Sequence, residues 1–127
     1  MKVMALDFGA ARTGVAVSDP SGIIARPLCV VERASADAIA SLARDEHVEE
    51  IVVGHPLTLR GERGEQARAS ERFAAQLRRT VDVLVVLFDE RFTTDLAEQT
   101  SAASAPEDAR AAAHLLSSYL AWAGAAH

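Results

Sequence analysis

The sequence predicts an α/β protein in which helices cover both faces of a mixed β-sheet. Short apolar runs bounded by turn signals near the N-terminus are typical of an antiparallel meander. Later strand-like runs alternate with stretches of helical periodicity, which favours parallel pairing because parallel neighbours need long crossover connections. Half of the 127 residues are apolar, so the chain can form a packed core.

The N-terminal part of the chain is predicted to form the meander. Its strands are expected at residues 2–8, 14–19 and 23–31. The connections at 9–13 and 19–22 contain glycine and other turn residues. Because Pro27 cannot donate a ladder hydrogen bond, we expect the third strand at an edge of the sheet.

The rest of the chain alternates between helical spacing and short apolar runs. We expect helix 36–46, strand 50–54, helix 65–79, strand 81–88, a helix from Thr93 or Thr94 to about 103, and a helix that follows Ser104 and runs to about 122. Ser35 is predicted to cap the first helix, and Gly124 to end the last one. The nearly continuous apolar run 81–88 is typical of a strand buried on both faces.

Composition limits the class of protein. The net charge of −5 argues against binding of nucleic acid by bulk electrostatics, so a polyanion would have to be held locally by a few arginines and metal ions. Cys29 is the only cysteine, which excludes a disulfide framework and favours the reducing cytoplasm. The apolar runs are shorter than the ~20 residues that span a bilayer, and no signal peptide precedes them. We therefore expect a single cytoplasmic domain over residues 1–127, with no membrane partner.

Three acidic positions stand at the ends of apolar elements. Asp7 lies inside the first apolar run, where a charge has to be paired, hydrogen-bonded or bound to a metal. Asp89 and Glu90 follow a predicted parallel strand, and ligands gather beyond the carboxyl ends of such strands. Asp108 falls on the predicted buried stripe of the last helix. That stripe also contains Ala112, Leu115, Leu116, Tyr119 and Trp122.

Converging carboxylates raise one another's pKa unless cations neutralise them. Oxygen donors of this kind suit Mg²⁺ or Mn²⁺. Taken singly, each acid also fits an ordinary role as a turn cap, a surface ion pair or a favourable charge at a helix N-terminus. The metal-site hypothesis therefore depends on the three positions together.

Four arginines lie on predicted connections, where they are placed to contact phosphates. They are Arg12, Arg60, Arg63 and Arg91. Any one of them also fits an ordinary solvated surface residue. The four histidines, in contrast, show no metal-ligand spacing.

Four motifs in order resemble the YqgF family, also called RuvX and described as Holliday junction resolvases. The motifs are Leu-Asp-Phe-Gly at 6–9 with Gly-Val-Ala-Val-Ser-Asp at 14–19, Val-Val-Gly-His-Pro-Leu at 52–57, Asp-Glu-Arg-Phe-Thr-Thr at 89–94, and Asp108 before Ala111-Ala112 with Ser-Tyr-Leu at 118–120. Together they cover nearly the whole chain. The resemblance implies a ribonuclease H-like fold with a five-stranded mixed sheet, and a cytoplasmic, metal-dependent nuclease that processes the 5′ end of pre-16S ribosomal RNA.

Carried over by motif, the resemblance implies that Asp7, Glu90 and Asp108 are the catalytic metal ligands. Asp89 is a neighbouring candidate for the second acid, but adjacent strand residues point to opposite faces and only one can face the site. We predict Glu90. The sequence departs from the family pattern twice, because residues 102–107 lack the basic run that often precedes the last acid and His55 stands where an apolar residue is common. The first departure weakens the expected grip on nucleic acid.

Three functional hypotheses follow. The leading one is a two-metal nuclease acting on RNA, in which two cations about 4 Å apart activate a water and stabilise the leaving oxygen. The closest alternative is a resolvase of four-way DNA junctions, which would cut two strands in step and favours a homodimer over a monomer. A non-catalytic binding module on the ribosome or a transcription complex is the alternative of another class, favoured by the acidic charge. An actin-like or sugar-kinase-like ATPase is disfavoured, since those enzymes close two related domains around a nucleotide.

Overall fold

The computed structural model describes residues 1–90 and 105–125. Its elements in chain order are β1 (Val3–Asp7), β2 (Arg12–Ser18), β3 (Ala25–Glu32), α1 (Ala36–Asp45), β4 (Glu50–His55), α2 (Glu65–Thr80), β5 (Leu84–Asp89) and α3 (Glu107–Ala125). The helix predicted up to residue 103 and the predicted cap Ser104 lie outside the described residues. Within them, no helix combines the length and the apolar character needed to cross a membrane.

The five strands form one sheet in the order β3-β2-β1-β4-β5. The pairs β1–β2 and β2–β3 are antiparallel, whereas β1–β4 and β4–β5 are parallel. The predicted mixed sheet is therefore confirmed, and Pro27 lies on an edge strand as expected. The parallel strands β1, β4 and β5 end at Asp7, His55 and Asp89, and we call the side of the sheet where they end the carboxyl edge.

Side chains of the sheet alternate between two cores. Met4 and Leu6 of β1 belong to the cluster that includes residues of α1 and α2, whereas Val3 and Ala5 belong to the cluster formed with α3. We call the second side the α3 face. Because strand residues alternate, Asp7 continues the Val3–Ala5 series onto the α3 face.

The first helix begins as predicted, but the last one ends later. The Ser35 hydroxyl accepts a hydrogen bond of 3.1 Å from the Ala38 amide and so caps α1. The prediction that Gly124 ends α3 is wrong, since the helix continues to Ala125; a glycine inside a helix costs only about 1 kcal/mol relative to alanine. The stripe predicts Trp122 in the core, yet the residue is 54% exposed, although its ring packs against those of Phe88 and Tyr119.

The strand β5 is shorter than the apolar run that predicted it. Val81 ends α2 by donating its amide to the Leu77 carbonyl at 3.0 Å, and the strand begins only at Leu84. Val85 and Phe88 are buried in the two different cores, as a strand buried on both faces requires. Leu84, in contrast, is 60% exposed, because β5 lies at an edge of the sheet where its first residue has a neighbour on one side only.

Candidate active site

Asp7 lies between two glycines of the neighbouring strands. Gly14 of β2 is its direct partner in the antiparallel ladder. On the other side, the parallel register pairs Leu6 with Val53, which places Gly54 of β4 next to Asp7. Since glycine has no side chain, the α3 face beside Asp7 is open on both sides to groups from elsewhere in the chain.

The space at Gly14 is filled by the first turn of α3. A Cβ on Gly14 would lie 1.8 Å from the backbone oxygen of Asp108, closer than any side chain allows. Gly14 therefore lets the main chain of α3 rest directly on β2, and this contact places Asp108 beside Asp7. The charge of Asp108 is close enough to act on the Asp7 carboxyl electrostatically.

The space at Gly54 is filled by the carboxyl group of Glu90. A Cβ on Gly54 would lie 2.6 Å from Oε1 of Glu90 and 3.1 Å from Cδ2 of Leu115. Glu90 directly follows β5, where Phe88 lies on the α3 face and alternation turns Asp89 away from it. Of the two neighbouring acids, it is therefore Glu90 that meets Asp7, and their side chains are hydrogen-bonded.

The carboxyl groups of Asp7 and Glu90 are hydrogen-bonded, and both have raised pKa values. Burial raises the pKa of Glu90 to about 7, and the charge of Asp7, a hydrogen bond to Asp7 and the charge of Asp89 raise it as well. Burial also raises the pKa of Asp7, followed by the charge of Asp108, while the hydrogen bond from Glu90 opposes the rise. These directions identify Glu90 as the protonated donor and Asp7 as the carboxylate acceptor.

Asp108 is directed to a different partner. Its Oδ2 lies 3.2 Å from Nε of Arg12, with 41% of the Asp108 side chain and 63% of the Arg12 side chain exposed. Within residues 1–90 and 105–125, no three histidine, cysteine or acidic side chains are placed to hold one metal ion together. The three predicted ligands thus lie in one neighbourhood, with two in contact and the third paired to arginine.

The chain matches the RuvX family, described as Holliday junction resolvase, over residues 1–122. It belongs to this family. A protein of Sulfurihydrogenibium sp. named "Putative pre-16S rRNA nuclease" is 42% identical over 103 residues, which cover 78% of this chain and 71% of the relative. A protein of the same name from Maridesulfovibrio salexigens is 44% identical over 102 residues, covering 77% and 76%.

A solved structure shares the fold of this RuvX-family chain. Thermus thermophilus RuvC in complex with a Holliday junction substrate superposes with a TM-score of 0.68, covering 98% of this chain and 96% of the RuvC chain. The two sequences are 15% identical, so the likeness shows the fold alone. Both the family predicted from the motifs and the predicted fold class are confirmed.

The predicted phosphate-binding arginines have different surroundings in this family member. Arg12 stands at the carboxyl edge beside Asp108. Arg60 is exposed in the loop between β4 and α2. Arg63, in the same loop, forms an ion pair with Glu71 of α2, and its Nε donates to Oε2 at 2.8 Å. Arg91 lies outside the described residues.

His55 takes part in that same interaction on the side of the sheet away from the acids. Its Nε2 lies 2.7 Å from Oε2 of Glu71. Hydrogen bonds from Arg63 and then from His55 lower the pKa of Glu71 to about 2. The histidine and the arginine therefore attach both ends of the 55–63 loop to α2, a role that sequence spacing did not reveal because Glu71 lies on another element.

Sequence reasoning also missed the two glycines that shape the site. Sequence patterns assign Gly14 and Gly54 to strands and motifs and give neither residue a role of its own. A glycine inside a strand is a signal of close approach by another backbone or group. Here that signal marks the positions where Asp108 and Glu90 come to lie beside Asp7.

Proposed function

We propose that this RuvX-family protein is a metal-dependent nuclease that hydrolyses phosphodiester bonds, with Asp7, Glu90 and Asp108 as ligands of Mg²⁺ or Mn²⁺. The observation that carries the proposal is the hydrogen-bonded contact of Asp7 with Glu90 at the carboxyl edge. Two partly buried carboxylates in contact are unfavourable unless a proton or a cation lies between them.

The donor set fits a hard divalent cation. All three groups are carboxylates, which are the oxygen donors that Mg²⁺ and Mn²⁺ prefer. Near neutral pH both acids would be available as ionised ligands, since the pKa of Glu90 is raised only to about 7. Asp108 is paired with Arg12 in an exposed ion pair, and such pairs contribute about 0–1 kcal/mol.

Hydrolysis would need contributions from both the cation and the chain's own residues. A divalent cation at these carboxylates would supply activation of the attacking water and stabilisation of the leaving oxygen. Glu90 would release its proton to solvent when a cation binds, and Asp7 would be the second carboxylate ligand. Arg12 is exposed at the carboxyl edge beside Asp108, and Arg60 is exposed in the loop that follows β4; we expect both to contact phosphates of the substrate.

The proposed substrate is RNA, in the processing of the 5′ end of pre-16S ribosomal RNA in the cytoplasm. Both relatives carry a name that refers to pre-16S rRNA, which supports this substrate and a nuclease activity. The description of the family favours a second candidate, cleavage of a four-way DNA junction. Such a reaction would call for two coordinated sites and so for a homodimer.

Parallel cleavage assays separate these candidates. Purified protein with Mn²⁺ or Mg²⁺ is incubated with a 5′-extended pre-16S rRNA fragment and, separately, with a four-way DNA junction. We expect cleavage of the RNA and slower or no cleavage of the junction. Faster cleavage of the junction would replace the RNA substrate by DNA. Binding of the RNA without cleavage of either substrate would contradict the nuclease and leave the binding module.

Two variants of neighbouring acids test the assignment of the second ligand. Glu90→Gln is expected to abolish cleavage, because the amide cannot replace a carboxylate at the cation. Asp89→Asn is its matched control, since Asp89 is turned to the other side of β5, and we expect it to retain cleavage within about tenfold of the parent. The opposite order of activities would assign the second acid to Asp89.

A further inference from the structure

The ion pair between Arg12 and Asp108 occupies one of the three proposed metal ligands. We propose that Arg12 competes with the divalent cation for Asp108, so that cation binding frees Arg12 to contact a phosphate. This inference rests on the proposed function, because it concerns the same metal site. It adds to that function a mechanism by which metal and nucleic acid favour each other's binding.

The backbone places both partners of the pair. Arg12 and Gly14 are two residues apart on β2 and therefore lie on the same face of the strand. That face carries the first turn of α3, because the backbone of Asp108 rests on Gly14. The Arg12 side chain thus starts from a fixed strand next to a fixed helix, which brings Nε within 3.2 Å of Oδ2 of Asp108.

Asp108 lies between a negatively charged and a positively charged side chain. Asp7 carries a negative charge close enough for mutual repulsion, whereas Arg12 offers a positive charge in direct contact. Without a cation, both influences direct the Asp108 carboxylate to Arg12. A divalent cation held by Asp7 and Glu90 would offset their negative charges and offer Asp108 a direct ligand contact, so attraction would replace the repulsion.

Release of Arg12 couples the two ligands. The guanidinium that loses Asp108 is exposed at the carboxyl edge and is free to form a bidentate contact with a phosphate. Coupling between two bound ligands is reciprocal, so a phosphate that draws Arg12 away must raise the affinity for the cation by the same factor. An exposed ion pair limits this factor to about fivefold.

The test is the affinity for Mn²⁺ in the absence of nucleic acid, measured from free Mn²⁺ by electron paramagnetic resonance at fixed pH and salt. We expect Arg12→Gln to bind Mn²⁺ roughly two- to fivefold more tightly than the parent, because the competitor is gone. Arg12→Lys keeps the charge and should stay within about twofold of the parent. Arg68→Gln, an exposed arginine on α2, is the control for the same change in net charge and should leave the affinity unchanged.

A second background tests whether the effect acts through Asp108. In Asp108→Asn protein, the Arg12→Gln change should no longer alter the Mn²⁺ affinity, as a double-mutant cycle requires for a direct pair. Equal or weaker Mn²⁺ binding by Arg12→Gln, in a protein whose parent binds Mn²⁺, would overturn the competition while leaving the metal site in place. A parent that binds no Mn²⁺ would overturn the metal site as well, so the two failures are distinguishable.

Discussion

Gly54 of β4 is in direct contact with the carboxyl group of Glu90, so that a Cβ at this position would lie 2.6 Å from Oε1. Gly14 stands on the other side of Asp7 and has the same relationship to the backbone of Asp108, at 1.8 Å. The candidate site is therefore formed where two strands lack side chains. The two glycines differ in what they touch, because one meets the flexible end of a side chain and the other meets main chain.

Gly54→Ala should impair catalysis more than folding. The added methyl group has to displace the Glu90 carboxylate, which moves easily, and Cδ2 of Leu115, which lies 3.1 Å away. We expect the cleavage rate to fall roughly tenfold to a hundredfold, because misplaced catalytic groups have effects of this size. The free energy of unfolding should fall by only about 1 kcal/mol. Cleavage kinetics and urea unfolding of the same preparation measure both, and a fully active variant would contradict the contact.

Gly14→Ala should impair folding directly. A Cβ 1.8 Å from the Asp108 oxygen cannot be accommodated unless α3 moves away from β2. We expect a loss of about 3 kcal/mol or more in the free energy of unfolding, at the upper end of overpacking effects. Urea unfolding compares this variant with Gly54→Ala. Equal stability of the two variants would show that α3 does not rest on β2 at this point.

Glu90 should make the metal-free protein less stable as the pH rises. Its pKa is about 7 in the folded chain against an ordinary value of 4.5, so the folded state binds this proton more tightly than the unfolded state does. The free energy of unfolding attributable to Glu90 is therefore greatest at pH values below about 4.5 and declines as the pH rises to about 7 and slightly beyond. The raised pKa of Asp7 acts in the same direction.

Thermal unfolding in EDTA at several pH values checks this expectation. Glu90→Gln should melt a few degrees above the parent at pH 8, because the amide carries no charge, and the two proteins should converge near pH 5. The same variant should be inactive, so stability and activity change in opposite directions. A parent whose melting temperature exceeds that of Glu90→Gln at pH 8 without metal would contradict the raised pKa.

Local sequence patterns are sufficient to predict much of the fold. Pro27 predicted an edge strand, because proline lacks a backbone N–H whatever its surroundings. Ser35 predicted the start of α1 in the same way, because its side chain caps the turn that follows it. The length of β5 was overestimated, since Val81 to Val83 are apolar whether they end α2 or extend a strand. The prediction that Trp122 is buried is wrong for a related reason. Helical periodicity identifies the apolar stripe of α3 but does not show how far along the helix the sheet covers that stripe.

The site was predictable in part. Alternation along β5 showed that one of Asp89 and Glu90 faces Asp7, and the family motif favoured Glu90. Which face Glu90 takes depends on how β5 is registered against β4, a long-range property that no local pattern contains. The pairing of Arg12 with Asp108 is of the same kind, since the two residues meet only because α3 rests on Gly14.

Cleavage by Asp7→Asn protein tests the central claim most directly, namely that the clustered carboxylates hold a divalent cation for phosphodiester hydrolysis. Asparagine keeps the shape of Asp7 and removes its charge. The control is Asp82→Asn, which changes an exposed acid between α2 and β5, at the opposite end of the parallel strands. We expect Mn²⁺-dependent cleavage to fall by roughly a hundredfold or more in Asp7→Asn and to stay unchanged in Asp82→Asn, with both circular dichroism spectra like that of the parent. Cleavage by Asp7→Asn at the parental rate would contradict the claim.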